Sequence, residues 1–137
     1  MKEIKGLAES FREAKVVFLT TFKDGEERNR PMTNFNEDPY SVMWFPTYRK
    51  TRKVEDIKKN PKVLLTFPSK NEDAYFEISG TAEFEDERVT ANKWQWWYLY
   101  WHPNQRNRFW FPARTGGSPD RMIINISPES AKLVRKD

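Results

Sequence analysis

The sequence predicts a mainly β fold, a small antiparallel barrel with a few helices packed outside it. Three observations carry this expectation. Runs rich in β-branched and aromatic residues recur from Val16 to Ile126. Turn signals such as Asp24-Gly25 join successive runs as hairpins. The turns are short, which favours antiparallel neighbours over crossover units.

Ile4, Leu7, Ala8, Phe11 and Ala14 recur at i, i+3, i+4, i+7 and i+10, the apolar face of a helix over residues 2–14. Val16 to Phe22 is the first strand, Lys23-Asp24-Gly25-Glu26 its turn, and residues 27–35 the return strand. Asn36-Glu37-Asp38-Pro39 makes a second turn, and Ser41 to Thr47 a third strand. Thr51 to Asn60 reads as a short helix that buries Val54 and Ile57 and stops at Asn60-Pro61. Glu55 and Asp56 fall early in it, where carboxylates complement the helix dipole. Lys62 to Pro68 and Ala74 to Phe84 are the next strands, with Gly80 marking a bulge or bend. Glu85 to Trp101 reads as helix and residues 102–120 as loop. Met122 to Ile126 is the last strand, closed by Pro128.

The chain has 137 residues, the size of one domain, and residues 1–137 hold no linker, repeat or low-complexity tract. Only 37% of residues are hydrophobic and the mean hydropathy is −0.91, so the surface is very polar. Ten Phe, six Trp and five Tyr supply the burial for a core. With no Cys, disulfides, thiolate metal sites and cysteine nucleophiles are excluded, and a single His, His102, excludes a multi-His metal centre. No apolar run approaches the roughly 20 residues that span a membrane. Met1 leads straight into charged residues, so the expected location is cytoplasmic.

The net charge of +4 is unevenly spread. Residues 49–62 carry seven basic side chains against two acids, and the rest of the chain is close to neutral. Nucleic-acid binding draws on charge spread along a face, whereas one concentrated spot suits a small anion. Within that spot a strand ends at Phe45-Pro46-Thr47, and Tyr48-Arg49-Lys50-Thr51-Arg52-Lys53 leads into a helix. Helix N-terminal amides, the hydroxyls of Thr47 and Thr51, the fork of Arg52 and the point charge of Lys53 are what a phosphate requires. No Gly-rich loop is present, so this is neither a P-loop nor a dinucleotide-binding turn.

Thr47-x-x-x-Thr51-Arg52-Lys53 after a hydrophobic strand resembles the phosphate-binding stretch of the pyridoxamine 5′-phosphate oxidase-like flavoproteins. Phe18-Leu19-Thr20-Thr21, Asp24-Gly25 and Arg30-Pro31-Met32 resemble that family's opening hairpin. Asn60-Pro61-Lys62-Val63 and Ile78-Ser79-Gly80-Thr81-Ala82 resemble its next landmarks. Phe111-Pro112, Gly116-Gly117 and Pro119-Asp120 resemble its general-stress-protein branch, and the likeness runs over about residues 8–130. The resemblance implies a split β-barrel of six to seven strands and a homodimer with FMN at the subunit interface. It places the phosphate on Thr47, Thr51, Arg52 and Lys53. It lines the flavin ring with the backbone of Arg30, Pro31, Met32 and Thr33, with Pro46 nearby. The sequence departs from the pattern twice: the tail from Ile126 lacks the oxidases' substrate-reading Arg-x-His pair, and Tyr75 stands where the family has a flavin-contacting Gln.

Trp94, Trp97 and Trp101 share a helical face, which reads as core or subunit interface, with Trp110 as a possible aromatic wall over the flavin. Glu83, Glu85, Asp86 and Glu87 read as a solvated corner, and His102 as an exposed loop residue. The function implied is a flavin oxidoreductase served by a small-molecule reductant or substrate, with the flavin carrying the chemistry. A deazaflavin coenzyme is the alternative, its acidic tail reaching Lys58, Lys59 and Lys62. A non-enzymatic flavin or haem store, or a single-stranded nucleic-acid binder using Arg106, Arg108 and Arg114, is the alternative of another class.

Overall fold

Val16–Lys23 (β1) and Glu26–Thr33 (β2) form the hairpin signalled by Asp24-Gly25. Both turn residues are left-handed, at φ 51° and 81°, the backbone that a two-residue hairpin loop requires. The structure, a computed structural model, describes residues 1–101 and 120–136, with side chains for all of these except 95–101. After the hairpin come Met43–Tyr48 (β3), Lys62–Pro68 (β4), Ala74–Phe84 (β5) and Arg121–Arg135 (β6). Three helices flank them: Leu7–Glu13 (α1), Arg52–Lys59 (α2) and Glu87–Trp101 (α3). The strands form one antiparallel sheet in the order β2-β1-β4-β5-β6-β3, curled into a half-barrel. Among the described residues no helix is long and apolar enough to cross a membrane.

Strand alternation fills the barrel. Val63, Leu65 and Phe67 of β4 and Phe76, Ile78 and Ala82 of β5 point inward, with Val17, Leu19, Met43, Phe45, Ile124 and Ile126 from the other strands. α1 lays Leu7 and Phe11 on this core, with the Phe11 ring edge-on to Phe67 at 5.4 Å. Seven residues are too few for a helix to stand alone. Burying Leu7 and Phe11, at about 1.5–3 kcal/mol each, is what holds it.

The structure differs from the sequence reading at two elements. α1 starts at Leu7 rather than at residue 2, because Gly6 takes a left-handed φ of 85° and turns the chain. Ile4 still packs on the core, its N–H donating to the Tyr40 hydroxyl at 2.9 Å. β6 does not close at Pro128 but continues to Arg135. Ser79 pairs with Ser130 and Gly80 with Pro128, so Glu129 bulges out and the proline sits where a ladder donor is not needed. Gly80 marks the bulge, as its sequence position suggests, but the extra residue lies on β6 opposite it. A Cβ there would stand 2.6 Å from the Ser127 carbonyl oxygen.

Candidate functional site

β3 sends Met43, Phe45 and Thr47 into the barrel at every second position. Thr47, the last of them, is 3% exposed, and its Oγ1 has no hydrogen-bond partner among the described residues. An unpaired buried hydroxyl costs about 1–3 kcal/mol. A group of that kind is a candidate for contact with a ligand.

Past Tyr48 the chain leaves the sheet. Arg49 donates its backbone N–H to the Asp120 carbonyl at 2.6 Å and pairs with Glu87 at 3.8 Å. Thr51 holds the N-cap position of α2 with extended backbone, but its hydroxyl donates back to the Tyr48 carbonyl at 3.0 Å. The first-turn amides of α2 therefore have no side-chain cap. Their partial positive charge stays available to an anion. Arg52 is exposed and Lys53 half-buried, and neither makes an ion pair among the described residues.

The fold brings Arg30 to this helix. Burial pushes the Lys53 ammonium below the usual lysine range, and the charge of nearby Arg30 pushes it the same way. The Arg30 guanidinium is itself lowered by burial, against the opposing pull of Asp56. Arg30 reaches α2 at Asp56, 3.6 Å away, so its charge and that of Lys53 fall on the same helix partly out of water, an arrangement that an anion relieves.

Beneath α2 lies the part that sequence reading missed. Asp56 is fully buried, not a solvated dipole partner. Its Oδ2 accepts a hydrogen bond from the Thr21 hydroxyl at 2.8 Å, and Thr21 Oγ1 accepts one from Arg30 Nη1 at 3.0 Å. Arg28 and Arg30 stand 3.7 and 3.6 Å from the carboxylate. An Asp early in a helix looks alike whether it faces water or a neighbouring strand, so no local signal could have found this cluster.

Arg30, Pro31, Met32 and Thr33 lie on β2, which pairs with β1 alone among the described residues. Pro31 and Thr33 are exposed, while the Met32 side chain belongs to the core. Pro46 lies half-buried on β3, the opposite edge strand, opposite Ile123. Thr47, Thr51, Arg52 and Lys53 follow one another from β3 into α2, and Arg30 reaches the same helix at Asp56. Trp110 and His102 lie outside the described residues, as do the side chains of Trp97 and Trp101.

Trp94 is a packing residue. It is buried, its Nε1–H donates to the Met122 carbonyl at 2.9 Å, and Tyr48 and Arg121 lie against its ring. The acidic corner is more structured than a solvated run. Asp86 accepts from the backbone N–H of Arg88 at the start of α3, and Glu85 accepts from Asn125 at 2.7 Å and from Lys93 at 3.3 Å. The Asn125 amide, more than any other cause, holds the Glu85 carboxyl below its ordinary range. No group of three or more acidic or histidine side chains among the described residues could hold a metal.

Comparison with known proteins agrees with this geometry. The chain is 28% identical over 123 residues to general stress protein 26 of Bacillus subtilis, covering 88% of this chain and 79% of that one. The structure of general stress protein 26 from Bacillus anthracis superposes with a TM-score of 0.66 at 22% identity, covering 95% and 92% of the two chains. An FMN-binding protein from Nostoc punctiforme, related to pyridoxamine 5′-phosphate oxidase, superposes with a TM-score of 0.65 at 16% identity, covering 98% and 87%. The split-barrel architecture expected from the sequence is the one these folds share. The model of the family described as pyridoxamine 5′-phosphate oxidase like matches residues 2–134, and the chain belongs to that family.

Proposed function

We propose that the protein binds FMN and works as a flavin oxidoreductase, as a homodimer with the flavin at the subunit interface. The observation that carries this reading is the buried hydroxyl of Thr47, unpartnered among the described residues, four residues before the uncapped start of α2. A phosphate oxygen accepts from that hydroxyl and from the α2 amides, while Arg52, Lys53 and Arg30 balance its charge. Proteins of the same fold are named for FMN, for FAD and as an F420 reductase. Flavins share the ribityl phosphate that this site would read.

The residues present fit such a group. When bound, the flavin supplies hydride or electron transfer at its ring, and the chain needs no acid or base of its own for that. The chain's part is to hold. Thr47 and α2 grip the phosphate end, and the β2 backbone from Arg30 to Thr33 runs along the ring. Pyridoxamine phosphate is a poor candidate for the substrate. The tail that carries Arg-x-His in the oxidases has no such pair here and runs as β6, paired along β5. Dimerisation is supported by the outer face of β1, where Val16 and Phe18 stay exposed beside a groove of about 430 Å³ that Tyr75 also lines.

Lys58 and Lys59 form the last turn of α2 and Lys62 opens β4 just past it, so they favour a long acidic tail only if the cofactor extends along that helix. The visible spectrum of the purified protein, with mass spectrometry of what heat releases, separates the two cofactors. FMN gives two bands and its own mass, and a deazaflavin gives one. The R52A/K53A variant is expected to lose FMN while keeping the fold, read by circular dichroism. Unchanged FMN affinity in that variant overturns the phosphate assignment.

A further inference from the structure

We propose that Asp56, acting through Thr21, is the positioning residue of the anion site: it fixes the Arg30 guanidinium against α2, the helix that carries Lys53. This rests on the reading of the α2 N-terminus as a phosphate site. The carboxylate is fully buried, yet neither arginine reaches it at hydrogen-bond length, and its Oδ1 accepts no hydrogen bond. Its one directional contact is with the Thr21 hydroxyl, 2.8 Å from Oδ2. Because a carboxylate only accepts, that contact commits the Thr21 hydrogen to Asp56 and leaves the Thr21 lone pairs to Arg30, 3.0 Å away. The relay thus has one sense, from Arg30 to Thr21 to Asp56.

Asp56 joins the two elements that build the site. Thr21 and Arg30 belong to the β1–β2 hairpin, and Asp56 to the same helix as Lys53, one turn further on. Without the relay the Arg30 guanidinium would leave α2, since its charge and that of Lys53 disfavour each other. With it the guanidinium stays against the helix before any anion arrives, and the reorganisation that binding would otherwise require is already made. Two arginines, Arg28 and Arg30, gather around one carboxylate, so the cluster keeps a positive excess for a phosphate. A carboxylate near an anion site opposes anion binding by its charge alone. The proposal therefore has an unexpected sign: removing the charge weakens binding.

The test is Asp56→Asn, with Thr21→Val as a second variant that keeps the carboxylate and breaks the relay. FMN affinity is measured by fluorescence titration well below each melting temperature, so that a loss of stability alone leaves it unchanged. Both variants are expected to raise the FMN dissociation constant roughly tenfold or more, the loss set by one charge-assisted hydrogen bond. Arg30 Nε–Hε relaxation in flavin-free protein, assigned with Arg30→Lys, is expected to show an ordered side chain in the wild type and a mobile one in both variants. Affinity that is unchanged or tighter in Asp56→Asn, or an Arg30 equally ordered in both variants, overturns the proposal. A wild type that takes up no FMN removes the flavin reading instead. The Arg30 measurement needs no ligand and still decides the positioning role.

Discussion

Thr47→Val should move stability and affinity in opposite directions, and the structure gives the size of both. Valine matches threonine in shape but has no hydroxyl. In the flavin-free protein Thr47 Oγ1 is buried and unpaired among the described residues. Removing it relieves a desolvation cost of about 1–3 kcal/mol. A gain of about 1 kcal/mol raises the melting temperature of a domain this size by roughly 3–5 °C. In the flavin complex the same hydroxyl would donate to a phosphate oxygen. Hydrogen bonds to charged groups contribute about 1.5–3 kcal/mol, so the FMN dissociation constant should rise roughly 10- to 150-fold. Calorimetry of flavin-free protein reads the first effect and flavin fluorescence titration the second. A variant that melts lower without flavin, or that binds FMN like the wild type, refutes the reasoning, because Thr47 would then be an ordinary core residue.

Gly80→Ala should destabilise the fold by about 1–3 kcal/mol, since the added methyl meets backbone at Ser127 rather than a side chain that could swing away. Urea unfolding checks it, and a neutral result would mean the bulge can flatten. Asn125→Ala should lower stability by about 1 kcal/mol at neutral pH, a charged hydrogen bond discounted for partial exposure. Because the Glu85 pKa is depressed in the fold, its contribution is complete above the unfolded value and fades as pH falls through the folded one. The gap between variant and wild type should therefore close in acid, and a gap that persists at pH 3 would assign the effect to packing.

The pattern of inward and outward residues made most of the sheet legible. Val63, Leu65 and Phe67 alternate with polar or partly exposed neighbours, and so do Phe76 and Ile78, which fixes which face of β4 and β5 is buried. Asp24-Gly25 named its own turn type. The far half of β6 was not legible, because Ser-Pro-Glu-Ser reads locally as a turn. Only the long β5 alongside supplies the partners that keep it extended. The same contrast holds at the site. Thr47, Thr51, Arg52 and Lys53 form one stretch, and strand end, hydroxyls and cations can be read in order. Thr21, Arg28, Arg30 and Asp56 come from two segments that nothing local connects.

The sequence by itself determined the class of fold, the first hairpin and most of the core, because each depends on periodicity or on residues close in the chain. The tertiary structure decided that Asp56 is buried, that Arg30 meets it and that Thr47 lacks a partner among the described residues. Burial and charge pairing depend on which surfaces the folded sheet brings together. A solvated aspartate and a buried one are the same letter until α2 is laid on β1.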